Sequence, residues 1–177
     1  MRHLARIFSA LVLLGFLAAG AALIWLRPQS MPPALPPLVQ VERIVVEKAA
    51  RRMRVFQDGK LARDFRIALG ADPNGDKQRQ GDGRTPEGRF RINRKNAASA
   101  FHLSLGLNYP QTDDRARARA GGYDPGGDIM IHGQPNALPP DVVLQNDWTV
   151  GCIALSNDEI AEVFAATPMG TEVEITP

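Results

Sequence analysis

The chain has 177 residues, 44% of them hydrophobic, with 21 lysines and arginines against 19 aspartates and glutamates and a formal net charge of +2. That length holds one compact domain with accessories rather than two domains. Arg2, Arg6 and Arg27 precede residue 40 and every acidic residue follows it, so the remainder carries 18 basic and 19 acidic groups, which excludes the cationic footprint of a nucleic-acid binder.

Residues 7–26, IFSALVLLGFLAAGAALIWL, contain no charged side chain. As a helix they would span about 30 Å, the thickness of a bilayer's hydrocarbon core. Arg2 and Arg6 lie before this segment, which predicts a single-pass transmembrane helix in a bacterial inner membrane, its amino end in the cytoplasm and the following domain in the periplasm. A signal segment cleaved after the small residues Ala19 and Ala21 is the competing reading, and it too exports the domain. With 1–27 as the membrane segment, 28–38 is a linker whose prolines at 28, 32, 33, 36 and 37 favour an extended, semi-rigid stalk. The domain proper is expected over 39–177.

That domain opens as strands. Ile44 to Val46 is β-branched, Met53 and Val55 alternate with arginines, Asp58-Gly59 supplies a hairpin turn, and Phe65, Ile67 and Leu69 resume the alternation. Residues 70–89 are rich in glycine and charge and predict a long, functional loop. Strands are expected at Phe90 to Ile92 and at Phe101 to Leu105, the latter with Phe101, Leu103 and Leu105 on one face and His102 on the other. Tyr109 to Gly127 reads as irregular chain, and the sequence leaves open whether Arg115 to Ala120 forms a short helix. A short apolar strand, Ile129 to Ile131, ends at His132-Gly133, and Val142 to Leu144 is a candidate short element. Ser156-Asn157-Asp158-Glu159 fits a capping box, with Ile160, Val163 and Phe164 as the apolar stripe of a late helix. Thr171 to Ile175 is a closing strand. The fold class is mainly β with a late helix, since an α/β layered sheet would need repeated crossover helices.

Cys152 is the only cysteine, so no intramolecular disulfide exists, and a lone thiol in an exported domain is either a small buried hydrophobe or a nucleophile. It lies in Thr149-Val150-Gly151-Cys152-Ile153, between irregular chain and the capped helix. Gly151 permits the backbone freedom by which the amides around 151 and 152 would face inward as oxyanion donors. A base would raise the thiol's reactive fraction, either by taking its proton or as an imidazolium beside the thiolate. Of three histidines, His3 lies before the membrane segment; His132, closing a strand and followed by Gly133, is the expected base. His102 is either a solvated sheet residue or part of the cleft lining. Two histidines and one cysteine do not make a zinc site, and no metal or other cofactor is expected.

Three segments together resemble the L,D-transpeptidase catalytic domain, the YkuD family, over roughly residues 42–176: Gly81-Asp82-Gly83-Arg84-Thr85-Pro86-Glu87-Gly88, Gly126-Gly127-Asp128-Ile129-Met130-Ile131-His132-Gly133, and Thr149-Val150-Gly151-Cys152-Ile153. The resemblance implies a mixed β-sandwich and peptidoglycan stem peptides as the substrate. It implies that Cys152 attacks the carbonyl between the L-centre of diaminopimelate and a terminal D-residue, with His132 as base and then acid. A second stem's amine would release the acyl-enzyme as a cross-link, and hydrolysis of stems or cross-links by the same nucleophile is the alternative. It further implies a backbone carbonyl orienting the histidine, with Thr149, Gly151 and Gly133 ordering the site. Trp148, His102 and Arg84 are the substrate-binding candidates. Many members carry arginine two residues after the cysteine; here Ala154 stands there and makes no charge-assisted contact, so Arg84, or behind it Lys77 or Arg79, would take the stem's carboxylates. A non-catalytic envelope-binding module is the remaining alternative.

Overall fold

The computed structural model describes residues 35–177. The membrane segment and most of the proline-rich linker lie outside them; among the described residues no helix is long and apolar enough to cross a membrane.

Strand β1 (Arg43–Glu47) turns its β-branched Ile44 and Val46 into the core and pairs antiparallel with β2 (Arg52–Gln57), which buries Met53 and Val55. Asp58 and Gly59 both have positive φ, 52° and 67°, as the expected tight hairpin turn requires, and lead into β3 (Lys60–Arg66). The expected three-residue strand at Phe90 is in fact β4 (Gly88–Ser99), twelve residues long. Its first residues pair with the closing strand β8 (Glu172–Thr176) and its later ones with β5 (His102–Leu107). Strands β6 (Met130–His132) and β7 (Ile153–Ala154) complete an eight-stranded order β3-β2-β1-β8-β4-β5-β6-β7.

The expected sandwich is instead one curled sheet, because β4 continues across both halves. The curl brings its two edges together. Past β3, the Ala68 amide donates to the Ala154 carbonyl (3.0 Å) and the Ala154 amide returns to Ala68 (2.8 Å). Just beyond, the Thr149 amide reaches the Leu69 carbonyl and the Ala71 amide reaches that of Thr149. The segment around Cys152 is therefore bonded to chain on the far edge of the sheet.

Helix α1 (Thr112–Gly121) settles the open question at residues 115–120; it starts on a Gln111 capping box and ends at Gly122 with φ 69°. Helix α2 (Asn157–Ala166) begins as expected: Ser156 Oγ accepts from the Glu159 amide and Glu159 accepts from the Ser156 amide, while Ile160 and Val163 are fully buried. Residues 142–144 form no regular element; the Leu144 amide is taken by the Gln134 side chain.

Residues 70–87 lack regular structure, as the composition predicted, yet they are not loosely held. Lys48, fully buried at the end of β1, donates to the carbonyls of Gly75 (2.6 Å) and Thr85 (3.0 Å) and to the Glu87 carboxylate (2.7 Å). Asp82 accepts the amides of Gln78, Arg79 and Arg84 and the ammonium of Lys77. Burial alone would raise the Asp82 pKa, but these four donors outweigh it and hold the carboxyl at about 2. A polar interior orders this loop where an apolar one is missing.

Candidate active site

The short strand β6 delivers His132. Its neighbours β5 and β7 fix the backbone, with Ser104 and Ala154 opposite it in register, and the ring is buried at 3% exposure. Nδ1 lies 2.7 Å from the Gly133 carbonyl. A carbonyl only accepts, so Nδ1 carries the proton and Nε2 presents a free lone pair. The ring packs against Phe101 (centroids 4.7 Å) and edge-on to Trp148 (5.6 Å). Burial lowers its pKa, only partly offset by the Gly133 carbonyl, so the imidazole is neutral and basic at neutral pH. Gly133 is needed for this closeness: a Cβ there would meet Asn157 Oδ1 at 2.6 Å and both His102 Cβ and Ile160 at 3.0 Å.

Cys152 precedes β7 and is partly exposed. Its Sγ lies 3.4 Å from the Asp128 carbonyl. Burial raises the thiol pKa and the Asp128 carboxylate adds to that, against a backbone bond from Met130 and the charge of Lys77, which lower it. Burial thus holds both the thiol and the imidazole toward their neutral forms.

The turn holding Cys152 is stapled by Thr149, whose buried hydroxyl accepts from the Gly151 amide (3.1 Å) and donates to the Cys152 carbonyl (2.7 Å). The Gly151 amide is thus occupied, which corrects the expectation that it faces inward as an oxyanion donor. The Cys152 amide has no acceptor among the described residues and is the remaining candidate from that pair. Gly151 has φ 129°, and a Cβ there would press on the Arg84 carbonyl at 2.6 Å. Replacing Thr149 with Val is expected to orphan both backbone groups, lowering stability by about 1–3 kcal/mol in urea melts and reducing kcat, while Thr149→Ser keeps both bonds and nearly wild-type behaviour.

Two clefts meet at Cys152. One, of about 350 Å³, is mainly apolar and contains Phe101, Met130, His132 and Trp148. The other, of about 300 Å³, is bordered by Lys77, Gln80 and Gly126. Asp128, Val150 and Cys152 line both. The site thus gathers Cys152, His132, Thr149 and Trp148 as expected, but not Arg84 or His102. Arg84 rests on Asp72 (3.2 Å) and lines neither cleft, its backbone serving the turn instead. His102 starts β5 with φ 64°, exposed, and also lines neither. Its neighbour Phe101 lies in the preceding turn rather than on a strand face, and stacks on His132. Asp128 falls within the histidine motif, though nothing singled it out there, and nothing local in the sequence marks Phe101 for the site; the β4–β5 hairpin brings it there.

This geometry coincides with a family match. The L,D-transpeptidase catalytic domain, YkuD, matches residues 41–175. YafK of Escherichia coli (strain K12) is 31% identical over 114 residues, 63% of this chain and 39% of YafK. YqjB of Bacillus subtilis (strain 168) is 28% identical over 137 residues, 75% of this chain and 70% of YqjB. Among solved structures, the helical cell shape determining protein Pgp2 from Campylobacter jejuni superposes with a TM-score of 0.56 at 28% identity, covering 77% of this chain and 48% of Pgp2. The chain thus spans about two fifths of YafK and about half of Pgp2. A family model that runs from the first strand to the last, through both the histidine strand and the cysteine turn, makes this chain a member of the YkuD L,D-transpeptidase catalytic domain family.

Proposed function

We propose that the domain is a peptidoglycan L,D-transpeptidase working through a Cys152 thioester. The observation that carries this reading is a lone cysteine sharing a cleft with a histidine whose Nδ1 proton is fixed on a backbone carbonyl, leaving Nε2 free as base. In the proposed reaction Nε2 takes the thiol proton as Sγ attacks the carbonyl between the L-centre of diaminopimelate and the terminal D-residue. The developing oxyanion is met by the Cys152 amide. The C–N bond then breaks, His132 gives its proton to the departing amine, and a thioester remains. A second stem's side-chain amine attacks that thioester, losing its proton to His132 and freeing the thiol as the 3-3 cross-link forms.

Hydrolysis is the second reading, and Ala154 favours it. Where the family resemblance implies arginine, the alanine is buried at 2% exposure in β7 and lines neither cleft at Cys152, so it offers no cation there to a second peptide. Water would then complete the same cycle. Incubation of the protein with defined tetrapeptide muropeptides and mass spectrometry separates the readings: cross-linked dimers are expected, whereas shortened monomers alone would mean hydrolysis, and unaltered substrate would sink both. We place the enzyme in the bacterial inner membrane, held by residues 7–26, with the domain in the periplasm; the uncharged run and its flanking arginines support this. The likeness to Pgp2 supports a role in shaping the cell wall.

A further inference from the structure

Of the three cations that the sequence offered for a substrate carboxylate, one reaches a cleft at Cys152. Arg84 is held on Asp72 and Arg79 lies over the Tyr123 ring at 5.5 Å; neither lines the polar cleft. Lys77 does, although it is 2% exposed. Its Nζ donates to Asp82 (2.8 Å) and to the Arg79 carbonyl (3.2 Å). An ammonium has three donors, and the third has no acceptor among the described residues.

Asp82 does not fully cancel this charge. Its two oxygens also take the amides of Gln78 (2.7 Å), Arg79 (3.0 Å) and Arg84 (3.0 Å), so its negative charge is spread over a rigid backbone cradle and serves to aim the lysine. The residual charge acts at the nucleophile, since Lys77 draws the Cys152 pKa down against burial. Gly126, with φ 76°, keeps the chain close over the lysine: a Cβ there would lie 3.3 Å from Lys77 Cε and 3.2 Å from Gln80 Cα. The opposing carboxylate on the rim, Asp128, weighs more on the sulfur than Lys77 does, but it is 83% exposed and paired with Arg94 at 2.8 Å.

We propose that Lys77, aimed by Asp82, is the specificity-determining cation of the polar cleft and takes the terminal carboxylate of the residue that leaves when Cys152 attacks. This rests on the acyl-transfer reading above. The two clefts on either side of the sulfur divide the donor peptide: the acyl portion lies along the Phe101–Trp148 side, and the departing residue on the Lys77 side. In that residue only the amide nitrogen and one α-carbon separate the scissile carbonyl from the carboxylate, so a cation beside the sulfur reads whether the peptide ends there. Stems ending in a free carboxylate are accepted, and internal peptide bonds, which lack one, are refused.

The test uses full-chain protein carrying Cys152→Ala, so that binding is read without turnover. Its affinities are measured calorimetrically for a tetrapeptide stem ending in a carboxylate and for the same stem ending in a carboxamide. The acid is expected to bind roughly 10- to 100-fold more tightly, the range of a charge-assisted contact in a shielded site. Adding Lys77→Met is expected to remove that preference, and Lys77→Arg to retain it. Equal affinities in the Cys152→Ala protein, or a preference that survives Lys77→Met, would overturn the assignment. If Lys77→Met does not fold, the acid-against-amide comparison and the arginine variant decide alone. Turnover of the same two stems by the unmodified enzyme is followed in parallel. Acid-selective binding with no turnover of either stem would sink the acyl-transfer reading and leave the carboxylate site standing; equal kcat/KM on both would do the reverse.

Discussion

Cys152→Ala is expected to reduce turnover of muropeptides at least about 10³- to 10⁴-fold, the loss typical of removing a covalent nucleophile. Binding through the two clefts remains. The side chain is partly exposed and its hydrogen bonds are weak sulfur contacts to the Asp128 carbonyl and from the Met130 backbone, so the melting temperature is expected to stay within about 2 °C of the parent. Cys152→Ser is expected to be nearly as inactive, because a hydroxyl is far harder to deprotonate than a thiol. Mass spectrometry of the intact protein with substrate checks the same point from the other side, through an acyl adduct on the wild type that is missing from both variants. Turnover retained by Cys152→Ala would place the chemistry elsewhere. Because burial raises the thiol pKa, alkylation of the free enzyme is expected to be slow at neutral pH and to accelerate as pH rises beyond the ordinary thiol range.

His132→Gln is the second large effect. Glutamine keeps much of the ring's volume and can donate to the Gly133 carbonyl, but it cannot carry a proton from sulfur to the leaving amine. A fall in kcat/KM of about 10²- to 10⁴-fold is expected. The pH profile tells a base apart from a packing residue. In the proposed reaction the imidazole must be neutral, and burial lowers the His132 pKa, so the acid limb of the wild-type profile is expected below the usual imidazole value of about 6.5. The variant should lose that limb. Stability follows the same linkage. As pH falls, the unfolded chain binds a proton at its ordinary imidazole pKa while the folded protein resists until lower pH. The unfolded state therefore holds more protons in that window, and unfolding free energy declines as pH drops through it. His132→Gln should remove this component of the acid sensitivity. An unchanged acid limb in the variant would assign that titration to another group.

How much of this was visible in the sequence depends on how far along the chain each signal extends. The β-branched residues of β1, the Asp58-Gly59 turn and the Ser156 capping box are short-range, and each produced the element it predicted. Cys152 and His132 were legible for a similar reason, each sitting at the end of a short motif. Helix α1 was not, because its only buried residue is Ala118; it is held by Arg117, which reaches Asp114, Asp76 and the Lys77 carbonyl, and such polar attachments leave no apolar period to read. Arg84 was chosen for its charge, whereas its side chain is spent on Asp72 and its carbonyl seats Gly151. Lys77 and Phe101 reach the site from the loop wall and from the β4–β5 turn. Their positions follow from a sheet that curls back on itself, which no local pattern encodes.

Strand β8 lies between β1 and β4, and it is the last strand of the domain to be synthesised. Until it arrives, the first strand has no partner on that side and the two halves of the sheet are joined only through the chain. The Ala68–Ala154 bridge, which ties down the cysteine turn, needs both halves in place. The cysteine turn is thus completed only once β8 has paired: a polypeptide lacking that strand carries the thiol but not the scaffold that arms it. Such long-range pairing also makes for slow folding, so the thiol is present well before the site is assembled.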